Sequence, residues 1–441
     1  MSNFGYTASS PHAEVGEKED DARSLASRLH PAWSLSICAG CCFNSALFFY
    51  SQFTDFYSIK FRNDNSGLDD TLETYSVVTG IDLLWGWGEY DDSNYFFAAT
   101  VTVFSLIWPH VKSLITIALV VYPMSRARRG KALEILSILG PLSMYDVFIT
   151  VIMVEAFNIS LESFTFQVVV ESGIYWFCVA VIASIILSDL LRWLHVTEEE
   201  DGVVSTERSL PWALAQHAKD SKRFGVPGTV MSPAVTFGLV VAFVLILWGF
   251  VVNAYHFRYK IFFLDIDDKY FSLAEGVEQM GDSEGSDPDG NRLVAAIYLI
   301  FVGILPLVWI PGLLLLWLVP IRSVSWRSRA HLIVEVTGSM SGGPTMLLTI
   351  FFSFLCFRNW TEAFIRDYLG ECEDIPGVQT SECFYIQPSV NGGYFITLIG
   401  TILTYALAWT ISTYFTKLAN PKAADDVGEE TALVSWTVAT S

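Results

Sequence analysis

Eight apolar runs, each long enough to cross about 30 Å of hydrocarbon, limit this chain to a membrane fold; they lie near 34–54, 95–123, 132–157, 166–193, 235–256, 293–320, 331–357 and 392–416. Backbone N–H and C=O groups inside lipid have no water to bond, so each run is predicted to be a helix. Composition agrees, with 52% hydrophobic residues and only 16% charged, against roughly 25% charged in soluble domains. The net charge of −20 leaves no basic surface for phosphate, which argues against a nucleic-acid partner. The lipid bilayer is the partner the sequence requires. The first run follows an acidic stretch (Glu14, Glu17, Glu19, Asp20, Asp21), so it is expected to stay as an anchor and not to be a cleaved signal.

Orientation follows from two short basic links. Arg126, Arg128, Arg129 and Lys131 follow the second run, and Arg322, Arg327 and Arg329 follow the sixth, neither with an acid among them. Both are expected to face the cytoplasm, which puts the N and C termini inside. The four outer segments then hold 25 acidic against eight basic residues, so the outer face is acidic.

The halves repeat at an offset near 197. Tyr75–Ile81 (YSVVTGI) matches Phe271–Val277 (FSLAEGV), and Phe104, Pro109 and Pro123 meet Phe301, Pro306 and Pro320 without a gap. Glu134 meets Glu335, and Ser172–Phe177 resembles Gly392–Ile396. The expected architecture is all-α and transmembrane, eight helices in two tandem, parallel four-helix modules (34–193 and 235–416). A cytoplasmic linker (194–234) joins them, and disordered cytoplasmic tails (1–33 and 417–441) flank them. The β-branched and aromatic segments YSVVTGIDLL and KIFFLDI are expected to pair as strands of a small sheet in each first outer loop.

Ionisable residues deep in a span are costly unless paired or hydrated, which makes them functional candidates. Lys112 and Asp146 each lie about 16 to 21 Å from the cytoplasmic end of their helices at about 1.5 Å per residue, so they are expected to pair. Pro109 and Pro141 each remove a backbone donor beside them and are read as helix kinks. Module two has Trp309 and Leu347 at the matching positions, with Gly338 and Gly342 as a GxxxG packing face. Glu155 and Glu171 read as hydrated rim residues, His110 as a packed or rim-facing side chain, and Asp189 with Arg192 as an interfacial pair. A lock between two helices is the alternative to a functional role for Lys112 and Asp146.

Among outer features, Asn359-Trp-Thr361 is a glycosylation sequon, and Cys372 and Cys383 flank a short loop where a disulfide is expected. Together they point to a eukaryotic plasma membrane or endomembrane. The segments 1–33 and 194–234 contain no Cys, so neither zinc nor another cofactor is expected. Cys38 and Cys41 have ligand spacing but sit within a span, where they read as buried thiols. Nothing resembles a nucleotide loop or a nucleophile elbow, so the chain does not read as an enzyme.

Gly140-Pro141-Leu142-Ser143-Met144-Tyr145-Asp146-Val147-Phe148 resembles the Ser-Met-x-Asp-Val-Phe signature of the paraquat-inducible protein A (LetA-like) family. The preceding Pro109 and Lys112 fit the same pattern, and Tyr75, Gly80, Gly173 and Tyr175 look like further family positions. The resemblance implies handling of lipid or another amphiphile, with an MCE-type membrane partner. It also implies Cys-x-x-Cys zinc ribbons, which this sequence lacks. A claudin-like or tetraspanin-like organiser and a cation channel are the other readings that the sequence leaves open.

Overall fold

The computed structural model describes residues 25, 30–63, 68–87, 92–157, 159–160, 164–202, 228–261, 264–282, 288–319, 324–369 and 384–419. Eight helices among them are long and apolar enough to span a membrane: Pro31–Phe53, Asn94–Val121, Arg128–Phe157, Ser172–His195, Pro233–Val251, Gly290–Leu318, Arg329–Asn359 and Gly392–Ser412. We refer to them as the first to eighth spans. The chain is a multi-pass integral membrane protein, predominantly helical with two small antiparallel sheets.

Each sheet draws on two separate loops. Strands β1 (Tyr57–Asn63), β2 (Leu68–Tyr75), β3 (Ile159–Ser160) and β4 (Phe164–Val170) lie in the order β2-β1-β4-β3. In the second half β5 (Asn253–Ile261), β6 (Leu264–Ser272) and β7 (Phe384–Val390) lie in the order β6-β5-β7. The registers correspond. Tyr57 opposes both Tyr75 and Val170, and Tyr255 opposes both Phe271 and Val390. The apolar runs near 166–193 and 235–256 therefore each contain a strand beside their helix, because β-branched and aromatic residues satisfy an apolar sheet face as well as a lipid-facing one.

The expectation that YSVVTGIDLL forms a strand is corrected. Tyr75 ends β2, and Val77–Trp87 is a helix. Ser76 starts it as a capping box: the Thr79 N–H donates to Ser76 Oγ at 3.1 Å, and the Ser76 N–H donates to Thr79 Oγ1 at 2.8 Å. Ser272 and Glu275 repeat the arrangement, at 3.2 and 2.6 Å, before the helix Glu275–Asp282. The shared S-x-x-T/E pattern marks a helix start and outweighs β-propensity. KIFFLDI contains the end of β5 and the start of β6.

The repeat extends to irregular backbone. A π-helical turn covers Thr102–Ile107, and another covers Leu299–Ile304, each followed by a proline two residues on, Pro109 and Pro306. A proline has no N–H to offer the preceding turn, so carbonyls there need other donors. The third span breaks at a 3-10 turn, Gly140–Met144, and the seventh between Ser339 and Gly343. At the start of the fourth span a Cβ on Gly173 would lie 2.6 Å from the Asp55 carbonyl oxygen. Gly393 stands in the same relation to the Val252 carbonyl oxygen, at 2.4 Å. Glycine is required at both corners because the obstacle is backbone.

The halves pack together through aromatic side chains. Phe148 of the third span meets Tyr298 edge-on with centroids 5.9 Å apart, Phe157 lies 5.8 Å from Phe357, and Phe96 lies 5.6 Å from Phe352. The Tyr175 ring lies against Gly290, where a Cβ would be 2.0 Å from it.

The glycosylation and disulfide expectations are corrected. Asn359 stands inside the helix Gly343–Leu369, and the Thr361 hydroxyl is fully buried, donating to the Arg358 carbonyl at 2.7 Å. Such a sequon is not presented as an extended acceptor. Cys372 and Cys383 lie outside the described residues, and the described cysteines Cys38, Cys41, Cys42 and Cys178 are free thiols. No disulfide is found among the described residues. The tails and most of the linker also fall outside them, although the helix of the fourth span runs on to Gly202.

Candidate functional site

The irregular backbone of the second and third spans builds a polar centre in the first half. Pro109 leaves the Ser105 carbonyl without its helical donor, and Gln52 Nε2 of the first span donates to that oxygen at 2.7 Å. Gln52 Oε1 in turn pairs with His110 Nε2 at 3.1 Å. Ser105 Oγ donates to Asp146 Oδ1. His110, Gln52, Ser105 and Asp146 thus form one chain of contacts tying three spans together. Asp146 lies in the first turn of the helix Tyr145–Phe157, where the helix dipole favours a carboxylate. Its Oδ2 has no hydrogen-bond partner among the described residues.

Above Asp146 is a cavity holding about 630 Å³ of atom-free space, its open mouth included. The helix Val77–Trp87, strands β1 and β2, and the second and third spans wall it. Ile81, Leu84, Phe97, Ile149 and Met153 make it apolar, Asp146 and Thr150 lie on the third-span wall, and Tyr57, Tyr75 and Ser76 stand on the sheet side. The Tyr57 and Tyr75 rings lie 5.4 Å apart, and a Cβ on Gly80 would come within 3.4 Å of Tyr57 Oη.

Lys112 and Asp146 are not brought together. Lys112 is buried, its Nζ has no hydrogen-bond partner among the described residues, and it lies 3.4 Å from where a Cβ on Gly140 would sit. The acid facing it is Asp189 of the fourth span, with the Cys41 thiol nearby. The reason is axial. Ser105 precedes Lys112 by seven residues, about 10 Å of helix, so the acid held by Ser105 stands roughly two turns further out. Counting depth evenly along the third span misses the turn Gly140–Met144, whose 3-10 rise is about 2 Å per residue.

Asp189 and Arg192 do not pair as an isolated interfacial couple; both reach into the second half. Ser339 Oγ donates to the Asp189 carboxylate at 3.3 and 3.4 Å. Arg192 forms an ion pair with Glu335 and donates to Ser137 Oγ at 3.3 Å. Glu335 also accepts from Ser412 at 2.9 Å and lies 3.5 Å from His331. Sequence reasoning missed this bridge, though the i, i+3 spacing of Asp189 and Arg192 already put both on one helix face.

At the matching positions of the second half the chemistry is apolar. Trp309 lies over Gly338, where a Cβ would be 2.4 Å from the indole, and its ring meets Tyr405 edge-on at 5.0 Å. Leu347 is buried. Of the GxxxG glycines, Gly338 accommodates the Trp309 ring, while Gly342 receives Phe148 of the first half and donates its N–H to the Phe301 carbonyl of the sixth span at 2.8 Å. Of the remaining signature residues, Ser143, Met144 and Val147 are buried beside the break.

Glu171 is half-buried and accepts from Ser58 Oγ at 2.7 Å, whereas Glu155, read from sequence as a hydrated rim residue, is only 1% exposed. Its carboxylate accepts from Tyr255 Oη in the second half. No group of three or more His, Cys, Asp or Glu side chains among the described residues is placed to hold a metal.

Residues 72–194 match the family model described as paraquat-inducible protein A. That stretch includes the helix Val77–Trp87, the cavity residues from Tyr75 onward, and Lys112, Asp146 and Asp189, while Phe56, Tyr57 and Ile59 of the cavity precede it. No curated protein and no solved structure matches the chain.

Proposed function

We propose, from the premise that residues 72–194 belong to the paraquat-inducible protein A family of membrane proteins, that the chain takes a lipid or similar amphiphile out of the bilayer through the cavity of its first half. The observation that carries this reading is an apolar cavity beneath an outer sheet with one carboxyl group on its wall. Apolar walls favour an acyl chain over water. The free Oδ2 of Asp146 offers one acceptor to a hydroxyl or ammonium group of the same molecule, and the Ser105 and Gln52 contacts hold it in place.

In this reading two parallel four-helix modules stand side by side with both termini in the cytoplasm, the side that the acid-free basic links favour. An accessibility tag after Gly225 should be reached from the cytoplasmic side only, and one after Gly285 from the opposite side only. The reverse pattern would refute the orientation. An MCE-type partner rests on the family likeness alone.

The cavity itself is tested with a photoreactive lipid. Full-length protein should crosslink it at the cavity wall, and Ile149→Trp, which fills the space, should cut labelling at least tenfold while the protein stays folded. Asp146→Asn should keep labelling by the acyl chain but weaken selection of the head group. Undiminished labelling in Ile149→Trp would sink the proposal and favour an adaptor whose membrane core is inert.

A further inference from the structure

We propose that Glu155 is a proton-binding site in the seam between the two halves, and that its proton governs how closely the halves pack. The inference does not depend on what the cavity carries. Glu155 leaves the third span near its outer end, yet it points into the second half. Tyr255 of β5 donates to Oε2, and Oε1 has no hydrogen-bond partner among the described residues. A Cβ on Gly276 would lie 2.6 Å from Oε1, so the helix Glu275–Asp282 closes over the carboxyl at the one residue that leaves room for it. Tyr255, Tyr259 and Tyr298 are fully buried, and Tyr259 Oη and Tyr298 Oη also have no hydrogen-bond partner among the described residues.

Among the described residues the groups facing Glu155 are acids and phenols, and the Lys269 ammonium of β6 stands behind them, 5.8 Å from the Tyr259 ring. From β5 they are Tyr255 and Tyr259, from the sixth span Tyr298, and from the helix Glu275–Asp282 Glu275, whose own carboxylate caps the Ser272 N–H. Burial, and then the charge of Glu155, hold the Tyr255 and Tyr259 phenols well above their ordinary range. They therefore stay hydroxyls and neither supply nor take the proton. An ionised Glu155 would place a second negative charge near Glu275 in a seam of aromatic rings, with no facing cation among the described residues to offset it. A proton from water on Oε1 removes that charge and turns an unpaired acceptor into a donor, in a seam that also holds the Tyr259 and Tyr298 hydroxyls. No other bond forms or breaks, and the proton returns to water when the seam opens.

Sequence pattern makes this specific to the seam. Tyr57 and Gly80 occupy the matching places in the first half, where Tyr57 Oη itself stands over the glycine in the place that Glu155 Oε1 takes over Gly276. The seam therefore carries an acid that the repeat does not require for folding.

The test uses the full-length protein in lipid nanodiscs free of sodium and potassium. Infrared difference spectra across a pH titration should show a protonated-carboxyl band that is lost in Glu155→Gln. In Tyr255→Phe, which keeps the acid and removes its donor, the band should persist at a shifted frequency. That variant also carries the test if Glu155→Gln does not fold. In a background carrying Cys38→Ser, Cys42→Ser, Cys372→Ser and Cys383→Ser, spin labels at Trp85→Cys and Tyr270→Cys should move apart as the band disappears, and adding Glu155→Gln should abolish that movement. The same carboxyl spectrum with and without Glu155, a band abolished by sodium at fixed pH, or a label distance insensitive to pH in the parent would each overturn the proposal.

Discussion

Asp189→Leu should destabilise the protein by about 1 to 3 kcal/mol, since it removes both the acid whose charge reaches buried Lys112 and the acceptor of the Ser339 hydroxyl. The loss arises because Lys112 Nζ has no hydrogen-bond partner among the described residues, and Asp189 is the acid that faces it. Lys112→Met in the same chain should recover a large part of that loss. A double-mutant cycle on unfolding in detergent should then show coupling between residues 112 and 189 of about 0.5 kcal/mol or more, carried by charge across the gap and not by a hydrogen bond. The cycle between Lys112 and Asp146 should instead be additive within about 0.5 kcal/mol. Coupling in the second cycle and none in the first would show that the two acids have been assigned the wrong way round.

Gly173→Ala and Gly393→Ala should each lower stability by about 1 to 3 kcal/mol, the usual penalty of overpacking. The added methyl would meet the Asp55 and Val252 carbonyls, which cannot rotate away as a side-chain tip could. Gly392→Ala is the matched control, with nothing within 4 Å of the new carbon. A melting temperature unchanged in Gly173→Ala, measured beside that control, would show that the corner between the first and fourth spans yields easily. The two substitutions should act alike because the two corners repeat, even though their flanking sequences, Ser172-Gly173-Ile174 and Gly392-Gly393-Tyr394, share only the glycine.

Span number and position were legible in the sequence because apolar length against bilayer thickness is a one-dimensional property. The repeat was legible for the same reason: Pro109 and Pro306 keep their register, and each follows a π-helical turn at the same offset. The start of each outer helix was also written there as S-x-x-T and S-x-x-E, a signal that β-branched residues obscured. Sheets built from two loops were not legible, since β4 and β7 pair with strands about a hundred residues earlier and only chain topology brings them alongside.

Charge partners were decided by tertiary structure alone. Lys112, Asp146, Asp189 and Arg192 were each identifiable as buried or interfacial ionisable groups, whereas Glu155 read as a hydrated rim residue; the groups they meet are Asp189, Ser105, Ser339, Glu335 and, for Glu155, Tyr255. Which side chain a helical residue meets depends on rotation and axial shift, and one residue changes the facing direction by about 100°. The π-helical turn Thr102–Ile107 and the 3-10 turn Gly140–Met144 alter both quantities between Lys112 and Asp146. Sequence therefore determined which polar groups enter the membrane and at roughly what depth, while helix irregularity and the packing of one half on the other decided which of them meet.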